Sequence, residues 1–153
     1  MVELNDDEVR AWGGFLRTHA RIVHELDQEL RDAHGMPLGT FDVLINLEFA
    51  PEGMLRMRDL AEAIVLSRSG LTRLVDRLVR DGLVERRRCG EDARGAWAVL
   101  TPAGKRALAK AMPTHFDGVR RRFLSVLDGG DQARLGDLWD KLKTQDLTAT
   151  HSP

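Results

Sequence analysis

Arginine and hydroxyl side chains recur at helical spacing in one short stretch of the chain, residues 66–87. A guanidinium group has a fixed fork that matches both a phosphate and the O6/N7 edge of guanine. Hydroxyl groups form hydrogen bonds with base edges and phosphate oxygens. A helix with these groups on one face suits a DNA major groove, but charged helix faces are commonly no more than solvated surface. The stretch alone leaves both interpretations open. Its polar positions are Ser67, Arg68, Ser69, Thr72, Arg73 and Arg77.

The apolar residues of the same stretch predict a helix over 67–82. Ser67 offers a hydroxyl that can accept a hydrogen bond from the first free amides of the helix. Gly82 can adopt the positive φ that commonly ends a helix. Between them, apolar residues repeat at the spacing of one buried helical face. They are Leu71, Leu74, Val75, Leu78 and Val79.

The segments on either side predict a helix-turn-helix followed by a wing. A short helix over 57–64 lies just ahead of Ser67, which gives two helices joined by a tight turn. Extended segments at 83–87 and 97–100 flank a loop at 88–95 that is rich in charge and glycine, and they predict a β-hairpin. The expected fold is therefore mainly α with a small β-hairpin wing, a winged helix-turn-helix between N- and C-terminal dimerisation helices.

Long helices are predicted at both ends of the chain. The first, over 6–34, carries more large apolar residues than one small domain can bury, which favours a subunit interface. A helix that begins at Thr101 is expected to reach about Leu127 with a kink near Pro113, and a last helix to begin at Asp128. The candidates for the dimer interface are Trp12, Phe15, Leu135, Leu138, Trp139 and Leu142.

These elements predict four parts of the chain. The parts are an N-terminal dimerisation helix (1–34), a DNA-binding region (35–100) with its recognition helix (67–82) and wing (83–100), C-terminal dimerisation helices (101–147) and a frayed tail (148–153).

The distribution of charge supports this division. The net charge of −1 is unusual for a DNA-binding protein until it is divided along the chain. Residues 1–34 hold eight acids against four arginines, or −4, and residues 35–55 add three acids and no base, or −3. Residues 67–94 hold eight arginines against five acids, or +3. Because phosphate attraction depends on local charge, DNA is expected at the predicted recognition helix and away from the N-terminal segment.

Composition and spacing argue against several other classes of protein. With 42% hydrophobic and 31% charged residues, no apolar run of membrane-spanning length and no signal-peptide core, the chain is expected in the cytoplasm. No nucleophile–base pair, Gly-rich phosphate loop or metal-ligand spacing is evident, so no enzyme activity, cofactor or metal is expected.

The single cysteine, Cys89, excludes an internal disulfide. It follows three arginines, which favour a thiolate, and a redox role stays open.

The order of these motifs resembles the MarR family (multiple antibiotic resistance regulators). The resemblance is carried by the stretch DLAEAIVLSRSGLTRLVDRLVRDGLVERR, then by Asp92-Ala93-Arg94, then by VLTPAG at the end of the wing, over about residues 55–104. It implies a homodimeric winged-helix protein that binds a pseudo-palindromic operator and usually represses transcription. Peroxide-sensing members carry their reactive cysteine in the first helix, where this chain has none. The alternative is a winged helix that binds proteins without reading DNA.

The wing supplies further candidates for DNA binding. Arg94 at the wing tip is expected to enter a flanking minor groove. Asp92 is expected to pair with an arginine, either Arg94 or one of the recognition helix, and so to hold the wing in place. Many members of the family have two adjacent basic residues after this aspartate, whereas Ala93 stands here, so one phosphate contact fewer is expected. The remaining candidates are Arg86 and Arg88. The alternative for residues 86–88 is a solvated strand edge that is protected against pairing, and for Arg87 the two interpretations are equally open, since alternate residues of a strand face opposite ways.

The resemblance also implies a small effector, commonly aromatic or anionic, that releases DNA. Effector pockets of this kind lie between the dimer helices and the winged helix and are largely apolar. His19 is expected to be partly buried in the first helix, or else to be a polar group of such a pocket. The pocket candidates are Trp12, Phe15, His19, Phe41 and His115.

Overall fold

The computed structural model describes residues 3–64, 68–88 and 95–148, except for the side chains of Arg68, Arg88 and residues 144–148. Within these residues the chain is mainly helical and carries a small antiparallel sheet, which confirms the predicted fold class. In chain order the elements are α1 (Asp6–His34), α2 (Leu38–Glu48), β1 (Met54–Arg56), α3 (Met57–Ala63), α4 (Arg68–Arg80), β2 (Val84–Arg88), β3 (Ala96–Leu100), α5 (Pro102–Arg122) and α6 (Gly129–Thr148).

Both ends of α1 have a clear local cause. The Asn5 side chain accepts a hydrogen bond from the Glu8 amide, and the Glu8 carboxylate accepts one from the Asn5 amide. This reciprocal pair satisfies two amides that the first turn of the helix leaves free. Gly35 ends the helix at a φ of 60°, a conformation that glycine adopts without steric cost. The predicted helix over 6–34 is confirmed, and Gly35 follows its last residue directly.

The start of α2 is capped from α1, because Pro37 provides no side-chain cap. Asp27 Oδ1 accepts a hydrogen bond from the Leu38 amide at 2.8 Å, and Asp27 Oδ2 accepts one from Arg31 Nε at 2.6 Å. The hydrogen bond from Arg31 is the main reason that the pKa of Asp27 lies below its ordinary value. Asp27 therefore joins the end of the first helix to the start of the second.

The sheet has three strands rather than the predicted two. Its order is β1-β3-β2, with both pairs antiparallel, so that Arg56 lies opposite Trp97 and Val84 opposite Leu100. The guanidinium carbon of Arg56 lies 5.2 Å from the centre of the Trp97 ring, a cation–π contact. Because β1 is only three residues long, it leaves no alternating pattern in the sequence, and its pairing with β3 depends on the tertiary fold.

In the core that the described residues form, α2 is central and packs against α1, α3, α4, β1 and β3. The apolar face of α4 belongs to this core, as predicted, except for Val79, which is exposed. Two small residues of the later elements, Ala98 and Ala111, are fully buried and allow close packing. The largest buried side chains are Leu30, Phe41, Leu44, Leu47, Leu60, Leu71, Leu78 and Leu108.

The C-terminal helices differ in part from the prediction. Helix α5 continues through Pro113 and ends at Arg122, and a short 3-10 turn at Leu124–Val126 follows instead of helix up to Leu127. Asp128 caps α6 as predicted, since its Oδ1 accepts a hydrogen bond from the Asp131 amide at 2.8 Å. The chain divides into two compact units, one ending at Phe116 and one beginning at Asp117. No helix among the described residues is long and apolar enough to cross a membrane.

Candidate nucleic-acid interface

The exposed face of α4 carries the polar residues that the sequence assigns to DNA. Ser69, Thr72, Arg73 and Arg77 are all exposed, at positions i, i+3, i+4 and i+8 of one helix. These spacings place the four side chains along one side of α4, while the opposite side belongs to the core. The core thus fixes which face of the helix is presented to solvent.

The arginines of this face are available for contacts outside the chain. Arg73 Nε donates a hydrogen bond to the carbonyl oxygen of Ser69, 3.3 Å away, which turns the side chain along the helix towards its N-terminus. The two terminal nitrogens of that guanidinium can still form a bidentate contact. Arg77 and Arg80 form no ion pair with other described residues. Side chains at the N-terminal end of a recognition helix are the ones that reach base edges in winged-helix complexes.

Several of the predicted contacts lie outside the described residues. These are Ser67, the side chains of Arg68 and Arg88, and the wing residues Asp92 and Arg94, and their roles stay predictions. Cys89 also lies outside the described residues, so its redox role stays a hypothesis. Among the described residues, the arginines of the candidate interface lie on α4 and on strand β2.

An ion pair joins the recognition helix to the wing. Arg86 Nη1 of β2 lies 3.0 Å from Asp76 Oδ1 of α4, on the exposed side of the helix. The sequence predicted that Asp92 would hold the wing, whereas among the described residues this contact is made by Asp76. In the sequence, Asp76 is an acidic residue between Arg73 and Arg77. Its position among arginines was the one signal that could have pointed to an ion pair with the wing. Arg86 is thus a bracing residue, and its further role in binding DNA stays a prediction.

Arg87 points to the other face of the sheet and pairs with a neighbour on its own strand. Its Nη2 lies 3.2 Å from Glu85 Oε2, and both side chains are more than half exposed. Strand β2 is at the edge of the sheet. A charged pair on an edge strand discourages pairing with the edge of another molecule, which supports the interpretation of Arg87 as a protected strand edge.

The end of the recognition segment is bonded to the start of α5. Thr101 Oγ1 donates towards the carbonyl oxygens of Gly82 and Leu83, at 2.7 and 3.0 Å, and accepts from the Gly104 amide at 3.0 Å. Gly104 packs so closely here that a Cβ atom would lie 2.1 Å from the Leu83 carbonyl oxygen. Gly82 has a φ of 72° and ends the helical segment as predicted. Any movement of α5 at this junction must therefore involve Leu83.

The aromatic residues proposed for an effector pocket form two separate groups of neighbouring rings. On α1, the ring centres of Trp12 and Phe15 are 5.9 Å apart, and those of Phe15 and His19 are 5.8 Å apart. His19 is exposed in the chain rather than partly buried as predicted, because this part of α1 extends beyond the core. In the core, Phe41 stacks on His115 with 4.2 Å between ring centres.

The surroundings of His115 favour the neutral form of its ring. Burial lowers the pKa of His115 below the ordinary value of an imidazole. Its Nδ1 atom is buried without a hydrogen-bond partner among the described residues. One cleft among the described residues lies at the end of α1 and the first turns of α5, and none of the five predicted pocket residues lines it.

The predicted interface residues are largely exposed in the single chain. Trp12 is 58% exposed, Leu138 52% and Leu142 54%, while Phe15 and Trp139 are exposed to a smaller extent and Leu135 is half-buried. Large apolar side chains at helical spacing are seldom left in water. The expectation that the core of one chain cannot bury the start of α1 agrees with these exposures.

The described residues contain no group of three or more His, Cys, Asp or Glu side chains placed to hold a metal ion. The short helix α3, the arginine-bearing helix α4 and the small antiparallel sheet that follows them place the chain in the class of winged helix-turn-helix proteins.

Comparison with known proteins agrees with this class. A family model described as "MarR family" matches residues 34–95. AbsC, a MarR family transcriptional regulator from Streptomyces coelicolor, has a similar crystal structure, with a TM-score of 0.87 and 31% identity over 98% of this chain and 100% of AbsC. Sco3205, from the same organism and solved in complex with DNA, gives a TM-score of 0.89 and 30% identity over 99% and 95% of the two chains.

A repressor is among the similar sequences. The HTH-type transcriptional repressor YetL of Bacillus subtilis (strain 168) is 32% identical over 111 residues, which are 71% of this chain and 66% of YetL. The chain belongs to the MarR family. It is a transcriptional regulator and not an enzyme.

Proposed function

We propose that the protein binds a pseudo-palindromic operator as a homodimer and represses transcription from it. The observation that carries the proposal is the exposed face of α4, where Ser69, Thr72, Arg73 and Arg77 stand in a row against a buried face. Ser69, Thr72 and Arg73 are assigned to base edges. Arg68 and Arg77 are assigned to the phosphate backbone, which positions the helix without reading sequence.

The dimer is supported by apolar surface on each of the two units. Trp12 and Phe15 in the first unit and Leu138 and Leu142 in the second are all more than two fifths exposed. Segments 1–34 and 101–147 are accordingly the proposed dimerisation helices. A twofold dimer presents two recognition helices, which read successive major grooves when they are about 34 Å apart.

Repression is the direction that the similarity to YetL, a transcriptional repressor, favours. A dimer on an operator that overlaps a promoter excludes RNA polymerase by occupying the same DNA. The measurement is a reporter gene behind the DNA upstream of the gene that encodes this protein. Expression should rise when the protein is deleted and fall when it is restored, and the reverse pattern would identify an activator.

The assignment of Arg73 is tested by exchanging it for alanine. Arg73→Ala is expected to weaken operator binding by roughly 5- to 150-fold, because a bidentate base contact discriminates by about 1–3 kcal/mol. Binding to scrambled DNA should change much less. Arg21→Ala removes the same charge from a solvent-exposed pair on α1 and is the matched control. Equal loss of affinity for operator and scrambled DNA in Arg73→Ala would show that Arg73 holds phosphate and does not read bases.

The salt dependence of binding separates a DNA reader from a protein-interaction module. For a DNA reader, the logarithm of the binding constant should fall steeply and linearly with the logarithm of salt concentration. Arg77→Gln is expected to reduce that slope by about 1 while leaving sequence preference intact. A protein that shows no salt-dependent affinity for any DNA upstream of its own gene would instead belong to the interaction class.

The dimer is tested by placing a charge on the exposed face of α6. Leu138→Glu is expected to shift the species seen by light scattering at micromolar concentration from dimer to monomer, because a buried unpaired carboxylate is costly. Phe49→Glu is the matched control, since Phe49 is also strongly exposed but lies at the end of α2. A wild-type monomer, or a dimer unaffected by Leu138→Glu, would contradict the proposed interface.

A further inference from the structure

A guanidinium group and an indole ring lie against each other on one side of the small sheet. The guanidinium carbon of Arg56 is 5.2 Å from the centre of the Trp97 ring. The two residues are opposite each other in the register of β1 and β3, and opposite residues of an antiparallel pair point to the same side of a sheet. The next residue of β3, Ala98, is fully buried in the core and points to the other side. Arg56 and Trp97 therefore lie on the side of the sheet that faces away from the core.

Arg56 differs from the neighbouring arginines in its partners. It forms no ion pair and no side-chain hydrogen bond with other described residues, and its contact is the ring of Trp97. Arg58, two residues later, lies 2.9 Å from Asp59, and Arg87, which is opposite Trp97 on β2, pairs with Glu85. The N–H groups of the Arg56 guanidinium can therefore form two parallel hydrogen bonds with an oxyanion from outside the chain.

The strand register places Arg56 at the end of β1 that is nearer to the loop of the wing. Met54 is opposite Val99, whereas Arg56 is opposite Trp97, one residue from the start of β3 at Ala96. Arg56 also directly precedes α3, the first helix of the helix-turn-helix. In helix-turn-helix complexes the first helix crosses the DNA backbone while the second lies in the major groove. Arg56 thus stands where the helix-turn-helix meets the wing.

We infer that Arg56 binds a phosphate of the DNA backbone and that Trp97 is the positioning residue that holds its guanidinium in place. The fork of N–H donors matches the phosphate oxygens. The ring of Trp97 restricts the Arg56 side chain before DNA arrives, which reduces the conformational entropy that is lost on binding. Because Trp97 belongs to the wing and Arg56 leads into α3, this phosphate contact depends on both parts of the DNA-binding region. The inference rests on the proposed function and adds to it a contact outside the recognition helix.

The role of Arg56 is tested by Arg56→Gln in the full-length protein. The probes are the DNA upstream of its own gene and a scrambled sequence of the same length. Loss of one phosphate contact should reduce the salt slope by about 1, so the affinity advantage of the wild type should shrink about 3.5-fold between 50 and 200 mM salt. Both DNAs should be affected alike, because a phosphate contact carries no sequence information. Arg56→Lys keeps the charge and should keep the slope.

A matched control and a second result define the limits of this test. Arg21→Gln removes an arginine from a solvent-exposed pair on α1 and should leave the slope unchanged. Equal slopes in wild type and Arg56→Gln would overturn the phosphate role of Arg56. A loss of affinity for the upstream DNA alone, with scrambled DNA unaffected, would overturn the assignment to the backbone and show that Arg56 reads bases.

The positioning role of Trp97 is tested by a double-mutant cycle with Trp97→Leu. In the wild-type background this change should weaken DNA binding about two- to fivefold, the equivalent of one exposed cation–π contact, and leave the salt slope unchanged. In the Arg56→Gln background it should have no further effect, since the residue that Trp97 positions is already gone. Trp97→Phe keeps an aromatic face and should keep most of the affinity. Melting temperatures confirm that each variant is folded.

The outcomes of the cycle separate the inference from the proposed function. An equal loss of affinity from Trp97→Leu in both backgrounds would show that Trp97 acts through the general stability of the wing, and would overturn its positioning role. A wild-type protein without salt-dependent affinity for DNA would overturn the proposed function itself. Wild-type DNA binding that neither Arg56→Gln nor Trp97→Leu alters would overturn only the phosphate contact.

Discussion

The junction between the recognition segment and α5 predicts a strong effect of the change Gly104→Ala. A Cβ atom at residue 104 would lie 2.1 Å from the Leu83 carbonyl oxygen and 2.8 Å from Leu100 Cδ1. The leucine side chain can rotate away, but the carbonyl oxygen belongs to the backbone. Alanine at this position must therefore displace either the first turn of α5 or the residue that leads from α4 into β2.

The change in the free energy of unfolding caused by Gly104→Ala is the sum of destabilising and stabilising contributions. Overpacking of a close contact costs about 1–3 kcal/mol. The Leu83 carbonyl oxygen also accepts hydrogen bonds from the amide and hydroxyl of Thr101, at 3.2 and 3.0 Å, and each is worth about 1 kcal/mol. The higher helix propensity of alanine returns about 1 kcal/mol. The net loss in the free energy of unfolding is expected to be about 2–4 kcal/mol.

The assay is urea unfolding at one fixed protein concentration, together with DNA affinity under conditions where the variant is folded. Gly14→Ala is the matched control, because Gly14 lies within α1 and a Cβ there meets nothing within 4 Å. That control is expected to gain about 0.5–1 kcal/mol. Gly104→Ala should also bind DNA more weakly, since the recognition helix is displaced. A Gly104→Ala protein as stable as the Gly14→Ala control would refute the argument from the close contact.

Three further changes test other contacts. Asp76→Asn removes the partner of Arg86 and is expected to lower the ratio of operator to scrambled-DNA affinity about two- to fivefold, as measured by fluorescence anisotropy, and an unchanged ratio would deny the pair a bracing role. Burial raises the pKa of Asp42 from 3.8 to about 6, so the folded state holds its proton more tightly and stability falls as the pH rises from about 4 to 6. Asp42→Asn should therefore stabilise the protein by about 1–2 kcal/mol at pH 7.5 after allowance for solvent screening, and hardly at all at pH 3.5; equal gains at both values would contradict this. Asp27→Ala should cost about 0.5–2 kcal/mol by uncapping the Leu38 amide, whereas Asp27→Asn keeps an acceptor there and should cost less in the same urea titration.

The sequence was a good guide wherever a structural element carries its own local signal. The stop of α1 at Gly35, the end of the recognition segment at Gly82 and the cap of α6 at Asp128 all depend on residues within one turn. The same holds for the four core residues of α4 from Leu71 to Leu78, whose spacing alone places them on one face. Such patterns follow from the geometry of a helix and do not depend on the rest of the chain.

The features that the sequence did not predict correctly depend on contacts with other parts of the chain. Strand β1 exists because Met54–Arg56 meets β3, more than forty residues later, and three residues have no periodicity of their own. Val79 was expected in the core because its spacing fits, but the core does not extend to that side of α4. Helix α5 ended earlier than its composition suggested, since a 3-10 turn at Leu124–Val126 follows Arg122.

The sequence by itself determined the family, the order of the helices and the polar face of α4, because motif and helical period are local properties. Only the tertiary structure decided which residues work together across the chain. It paired Asp76 with Arg86, bonded Thr101 to Leu83 and placed Arg106 and Lys110 beside a cleft at His34. Each of these contacts joins residues that are 10 to 76 positions apart. Their distances are set by the packing of the common core, and no pattern within one helix or strand encodes them.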